Sequence, residues 1–256
     1  MVLRFFLLAV VFILLSCTEA KFNNPYDPDS PNRSVDYQGE TYQTVLIGSQ
    51  VWFKRNLNYN VEGSKCYGEG GKVYNSETTE FDITLSNTEI QANCSKYGRL
   101  YDWATAMGID TKYNKEKWNG SDVKHKGICP NGWHLPSNAE WNVLMKFVNP
   151  ECSDNNDCDG AGTKLKAADG WNLSDGWNLY SGVPKGTDNF GFSALPGGVG
   201  DSDGSFLSVG YHGVWWSASE YGSDYANGMR MSYGSEYVLY NDYGKDDLFS
   251  VRCIKD

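Results

Sequence analysis

The chain is 256 residues long and carries 22 Lys plus Arg against 32 Asp plus Glu, a net charge of -10. No basic run exceeds Lys54-Arg55, so the sequence lacks the clustered cationic face that displaces counterions from a phosphate backbone, which argues against nucleic acid as a partner. Its 28 Gly, 17 Tyr and 9 Trp predict a single loop-rich domain in which aromatic rings supply much of the buried area.

Arg4 precedes an unbroken apolar run at residues 5–15, and Ser16 and Cys17 follow it. A charged start, a short apolar stretch and a small residue before the break are the parts of a secretory signal. The run has eleven residues. About 20 are needed to cross roughly 30 Å of hydrocarbon, so residues 1–16 are expected to be cleaved rather than kept as an anchor. Leu14-Leu15-Ser16-Cys17 resembles the bacterial lipobox, which implies that the Cys17 thiol takes a diacylglycerol and becomes the new N-terminus. An ordinary secretory signal with an incidental cysteine is the alternative. Thr18, rather than Asp, follows the cysteine, which in a two-membrane bacterium points to the outer membrane. Cleavage removes Arg4 and leaves 21 basic against 32 acidic residues, a net charge of -11. Residues 17–36, with Pro25, Pro28 and Pro31 among turn formers, are expected to be a flexible tether, and residues 37–256 a folded domain held at the cell surface.

Within that domain, residues 42–47 and 50–53 are β-rich runs around Gly48-Ser49, the pattern of a hairpin with a two-residue turn. Leu100, Trp103, Ala104 and Met107 recur at helical spacing and Gly108 follows as a C-cap, predicting a short helix. Ser137, with Glu140 three residues later, forms a capping box ahead of the stripe Trp141, Leu144, Met145 and Val148, predicting a helix over 138–148 that packs on the core. Residues 190–195, 213–218, 226–232, 236–240 and 249–253 alternate with Gly turns and are expected to pair as an antiparallel sheet. The fold class is therefore α+β, with short antiparallel sheets, two short helices and long Gly- and aromatic-rich loops.

Once Cys17 is assigned to lipid, six cysteines remain: Cys66, Cys94, Cys129, Cys152, Cys158 and Cys253. In an exported chain they read as three disulfides, and the sequence leaves all fifteen connectivities open. Zinc is poorly supported, because no C-x-x-C pair occurs and His125, His134 and His212 are isolated. Asn155-x-Asp157-x-Asp159-Gly160 opens like an EF-hand loop, but its twelfth position is Lys166 where a bidentate Glu is needed, so it reads as a solvated acidic turn. No metal or cofactor is expected.

Val45-x-Ile47-Gly48-x-Gln50-x-Trp52, Tyr97-Gly98-Arg99-Leu100-Tyr101, Cys129-Pro130-x-Gly132-Trp133-His134-Leu135-Pro136-Ser137, Gly191-Phe192-Ser193-Ala194-Leu195-Pro196-Gly197-Gly198, Trp215-Trp216-Ser217-Ala218-Ser219-Glu220 and Phe249-Ser250-Val251-Arg252-Cys253 together resemble the Fibrobacter succinogenes major paralogous domain, over about residues 40–255. The resemblance implies an exported lipoprotein with a C-type lectin-like fold, related to formylglycine-generating-enzyme-like domains, whose first and last strands lie together. It also implies a bridge from Cys129 to Cys253, which leaves Cys66 with Cys94 and Cys152 with Cys158. It supplies a fold and no chemistry.

Three functions follow as expectations. The first is a non-catalytic surface binding or adhesion module for a polysaccharide, with Trp171, Trp177, Tyr211, Tyr221 and Tyr225 as rings that stack on sugars. Against this, any single one of them is more readily a packing residue. The Glu-Pro-Asn loop of calcium-dependent lectins is absent, and their Trp-Asn-Asp strand survives only as Tyr240-Asn241-Asp242. The second is a structural envelope component that contacts other surface proteins. The third, a formylglycine-generating type of enzyme, needs spare redox-active thiols that the implied pairing does not leave, and no Walker or H-E-x-x-H motif offers another chemistry.

Overall fold

A computed structural model describes residues 34–76, 78–172 and 185–256. The expected signal peptide, Cys17, most of the tether and Trp177 lie outside the described residues. In chain order come β1 (Ser34–Tyr37), β2 (Glu40–Ile47), β3 (Gln50–Phe53), β4 (Val73–Asn75), β5 (Glu80–Ile83), α1 (Asn87–Tyr97), α2 (Trp103–Met107), a 3-10 turn (Thr111–Asn114) and β6 (Trp133–His134). After them come α3 (Asn138–Val148), α4 (Ala161–Leu165), β7 (Gly197–Gly200), β8 (Phe206–Val209), β9 (His212–Glu220), β10 (Tyr225–Ser232), β11 (Val238–Gly244) and β12 (Ile254–Lys255). Two sheets form, in the orders β1-β2-β3-β12-β6 and β11-β10-β9-β7-β8-β4-β5. The α+β class holds, and the N-terminal strands share a sheet with the last one, Ile254 of β12 lying opposite Trp52 of β3. None of the described helices is long and apolar enough to cross a membrane.

The hairpin forms as the Gly48-Ser49 turn predicts, Ile47 pairing with Gln50 and Gly48 adopting a φ of +61°. Helix α2 ends on Gly108 in the left-handed region. At the start of α3 the Glu140 carboxylate accepts from both the backbone N–H and the hydroxyl of Ser137, and Trp141, Leu144, Met145 and Val148 are buried.

Five expectations are corrected. Helix α1 was not anticipated, although Ser86 and Glu89 cap it reciprocally; with α4 it raises the helix count among the described residues above the expected two. β1 begins at Ser34, inside the stretch expected as tether, because a Gln38-Gly39 turn folds it back onto β2. Residues 190–195 are not a strand: the Asp188 carboxylate accepts from the backbone N–H and hydroxyl of Ser193, and Gly191 and Ser193 take positive φ, closing a turn that drives Phe192 into the core. Residues 249–253 run irregularly between the sheets, bonding in turn to Tyr101, Val214, Trp216, Leu57 and Phe53, and the last strand starts only at Ile254. The larger sheet is mixed rather than antiparallel, with parallel contacts of β7 to β9 and β4 to β8.

Neighbouring side chains alternate across a strand, so consecutive apolar residues in β3 and β9 serve two different cores. Phe53 and Trp216 join Tyr42, Trp103, Trp133 and Phe249 in one. Trp52 and Trp215 join Trp141, Leu144, Leu165, Phe192 and Met229 in the other. Disulfides pair Cys66 with Cys94, Cys129 with Cys253 and Cys152 with Cys158, the pairing that the family resemblance implies.

His134 ties α3 to the C-terminal strand. It is fully buried, with Nε2 2.6 Å from Glu140 Oε1 and Nδ1 2.7 Å from Asp256 Oδ1. Only the imidazolium donates from both nitrogens. Burial is the largest single influence on its pKa and pushes it down, but the hydrogen bonds and charges of Glu140 and Asp256 together outweigh it and leave the pKa raised. A raised folded-state pKa stabilises the fold fully below the unfolded value of about 6.5 and is lost as pH climbs through the folded value. Denaturant unfolding is therefore expected to show stability falling as pH rises above about 6.5, and His134→Gln to remove that slope. An unchanged slope in the variant would refute the assignment.

Candidate functional site

Strands β9, β10 and β11 form consecutive antiparallel hairpins in which Ser232 lies opposite His212 and Arg230 opposite both Val214 and Leu239. With a side-chain period of two, Met229 and Met231 turn to the core while Arg230 and Ser232 turn to the other face, beside His212 and Leu239. The turn at 233–237 rises over this end of the sheet, and the two enclose a cleft of about 430 Å³ lined by His212, Arg230, Tyr233, Glu236, Tyr237 and Leu239 among others. Tyr211 packs edge to face on Tyr233, the ring centroids 5.2 Å apart, and stays 41% exposed.

The turn is fixed from behind. Lys166 is buried and donates from Nζ to the carbonyls of Ser232 at 3.0 Å and Ser235 at 2.8 Å. Burial pushes its pKa down to about 8, against the opposing influence of Glu236. The Trp171 ring lies over that ammonium at 5.3 Å and donates from Nε1 to the Ala194 carbonyl. Trp171 and Tyr233 together border a small crevice of about 60 Å³ on the other side of the turn.

Of the rings expected to hold a ligand, Tyr211 and Trp171 thus flank Tyr233. Tyr221 and Tyr225 do not join them: they stand 68% and 49% exposed at the opposite end of the β9–β10 hairpin, where the Tyr221 N–H donates to the Tyr225 carbonyl. The length of β9 places them roughly 26 Å away at about 3.3 Å per residue.

The polar groups of the cleft were not foreseen. Arg230 makes no hydrogen bond or ion pair within the described residues, and its Nε is buried without a partner. His212 has no hydrogen-bond partner either; burial, with the nearby Arg230 charge, pushes its pKa down to about 4, so the ring is neutral at neutral pH. The alternation Met229-Arg230-Met231-Ser232 was a legible sign that Arg230 faces away from the core.

A second depression, of about 460 Å³, lies over β2 and β3 beside Arg55 and Ser193. Its guanidinium is already engaged by Glu40 at 3.0 Å. In the acidic turn closed by Cys152 and Cys158, Asp157 accepts from the Tyr240 backbone N–H at 2.9 Å. No group of three or more His, Cys, Asp or Glu is placed to hold a metal among the described residues.

The model of the Fibrobacter succinogenes major domain matches residues 45–255. The chain belongs to that family. The matched span of this major domain runs from within β2 into β12, so the second core, the first core apart from Tyr42, all three disulfides and the whole cleft fall inside it. No curated protein and no solved structure matches the chain.

Proposed function

We propose that this major domain is a non-catalytic binding module, tethered by lipid at Cys17 to the cell surface, that holds a saccharide in the cleft beside Tyr211 and Tyr233. The carrying observation is the cleft itself: its ring wall is held by the buried Lys166, and two of its polar side chains, His212 and Arg230, have no hydrogen-bond partner among the described residues. A preformed concave site with apolar walls and a few convergent polar groups is what small-ligand recognition uses. The joining of β3 to β12 and the long loops between short strands support kinship with C-type lectin-like domains.

Retention of the full-length protein on a panel of immobilised glycans, neutral and acidic, tests the reading. Tyr211→Ala with Tyr233→Ala is expected to weaken retention by roughly tenfold, the scale of two lost ring contacts, while Tyr221→Ala leaves it unchanged. Equal retention by all three proteins would count against the cleft.

A second reading, contact with another envelope protein, has its own observation. Val143 and Phe147, one helical turn apart on α3, are 46% and 50% exposed. Crosslinking on intact cells separates the readings, since soluble glycan should displace a saccharide binder and leave a protein contact in place.

A further inference from the structure

We infer that the ligand of the His212–Arg230 cleft carries a carboxylate, as an acidic sugar does, received by the Arg230 guanidinium. This rests on the reading of the cleft as a saccharide seat and adds the class of saccharide.

The four arginines of the described residues make the case by comparison. Arg55 pairs with Glu40. Arg99 is buried and held by Ser64 and Glu69. Arg252 is fully buried and donates to Asn56 and to the Phe53 carbonyl. Arg230 alone has no hydrogen bond or ion pair, although its Nε is shielded from water. A desolvated donor without an acceptor carries a cost that a bound acceptor removes, and a guanidinium edge matches the two oxygens of a carboxylate.

The surroundings narrow the choice. His212 is neutral, so it adds no charge and offers one donor and one acceptor, suited to a hydroxyl pair next to the acid group. One fixed cation then balances one negative charge. Glu236, exposed at the cleft, and the chain's net charge of -10 oppose loose accumulation of polyanions, so recognition depends on the local fork. Tyr233 and Tyr237 line the cleft and supply flat apolar faces for the sugar ring, and Tyr211 packs edge to face against Tyr233.

The test compares immobilised polygalacturonate with the same polymer after its carboxyls are reduced to hydroxymethyl groups, using the full-length protein and a sulfated polysaccharide as a third arm. Wild type is expected to bind the uronate polymer about tenfold or more tightly than its reduced form. Arg230→Gln should lose that preference, so that the two polymers bind within about twofold of each other, and Arg230→Lys should restore it only in part because the fork is gone. The melting temperature of Arg230→Gln should match wild type, since no protein group loses a hydrogen bond. Equal binding of both polymers with no effect of Arg230→Gln, or stronger binding to the sulfated polymer, overturns the carboxylate and leaves the saccharide module standing. Failure to bind any glycan overturns both.

Discussion

Replacing Cys129 and Cys253 together by Ala is expected to lower the unfolding free energy by about 5 kcal/mol, the largest loss among the three disulfides. The bridge joins residues 124 positions apart. By the chain-entropy relation a loop of that length restrains the unfolded chain by about 5 kcal/mol, against about 4 for Cys66–Cys94 and about 2 for Cys152–Cys158. A domain of this size has a net stability of about 5–15 kcal/mol, so losing the long bridge removes a large share of it. The site adds to the effect, because both sulfurs are fully buried in the core that holds Phe53, Trp133 and Trp216. Denaturant unfolding of the three double variants measures the order. A loss for the seven-residue loop as large as for the long one would refute the loop-length account, and peptide mapping of the non-reduced protein checks the pairs themselves.

Local chemistry made part of the fold legible. The Gly48-Ser49 turn, Gly108 as C-cap and the pairing of Ser137 with Glu140 each act within a few residues, and each element appears where they place it. Helix α1 carries the same kind of signal in Ser86 and Glu89, yet only Ile90, Cys94 and Tyr97 are buried on it, too thin a stripe to stand out by periodicity. The run at 190–195 misleads because its apolar residues are real but its conformation belongs to Asp188, whose side chain bonds five residues ahead. The cleft was half visible. Tyr211 and Trp171 stood out as rings, whereas Arg230 and His212 become neighbours only through the register that sets Ser232 opposite His212. Strand pairing of that kind is a tertiary fact with no local marker.

The second large effect concerns Arg252, a fully buried cation that no carboxylate touches. Its Nε and Nη2 donate to Asn56 Oδ1 at 3.2 and 2.7 Å, and Nη1 donates to the carbonyls of Phe53 and Phe192. Asn56 Oδ1 also accepts from Trp215 Nε1 at 2.8 Å, and its Nδ2 donates to the Tyr97 carbonyl and to Ser250 Oγ. Burial drives the Arg252 pKa down to about 9, with Asp188 opposing, so the charge costs free energy that only these oriented dipoles offset. Asn56→Leu removes the best of them and also orphans the Trp215 N–H; a loss of about 3–5 kcal/mol is expected. Arg252→Met keeps the apolar stem but takes the guanidinium donors from the Phe53 and Phe192 carbonyls and leaves Asn56 Oδ1 with the Trp215 N–H alone, for a loss of about 2–4 kcal/mol. The double variant should cost clearly less than the sum, because once Asn56 is gone the cation is itself a liability. Denaturant unfolding of the four proteins measures this, and additivity within about 0.5 kcal/mol would show that the two side chains act independently. Phe53 belongs to one core, Phe192 and Trp215 to the other. The Arg252–Asn56 pair therefore fixes how the two cores meet, a constraint that apolar packing, which has no direction, does not impose.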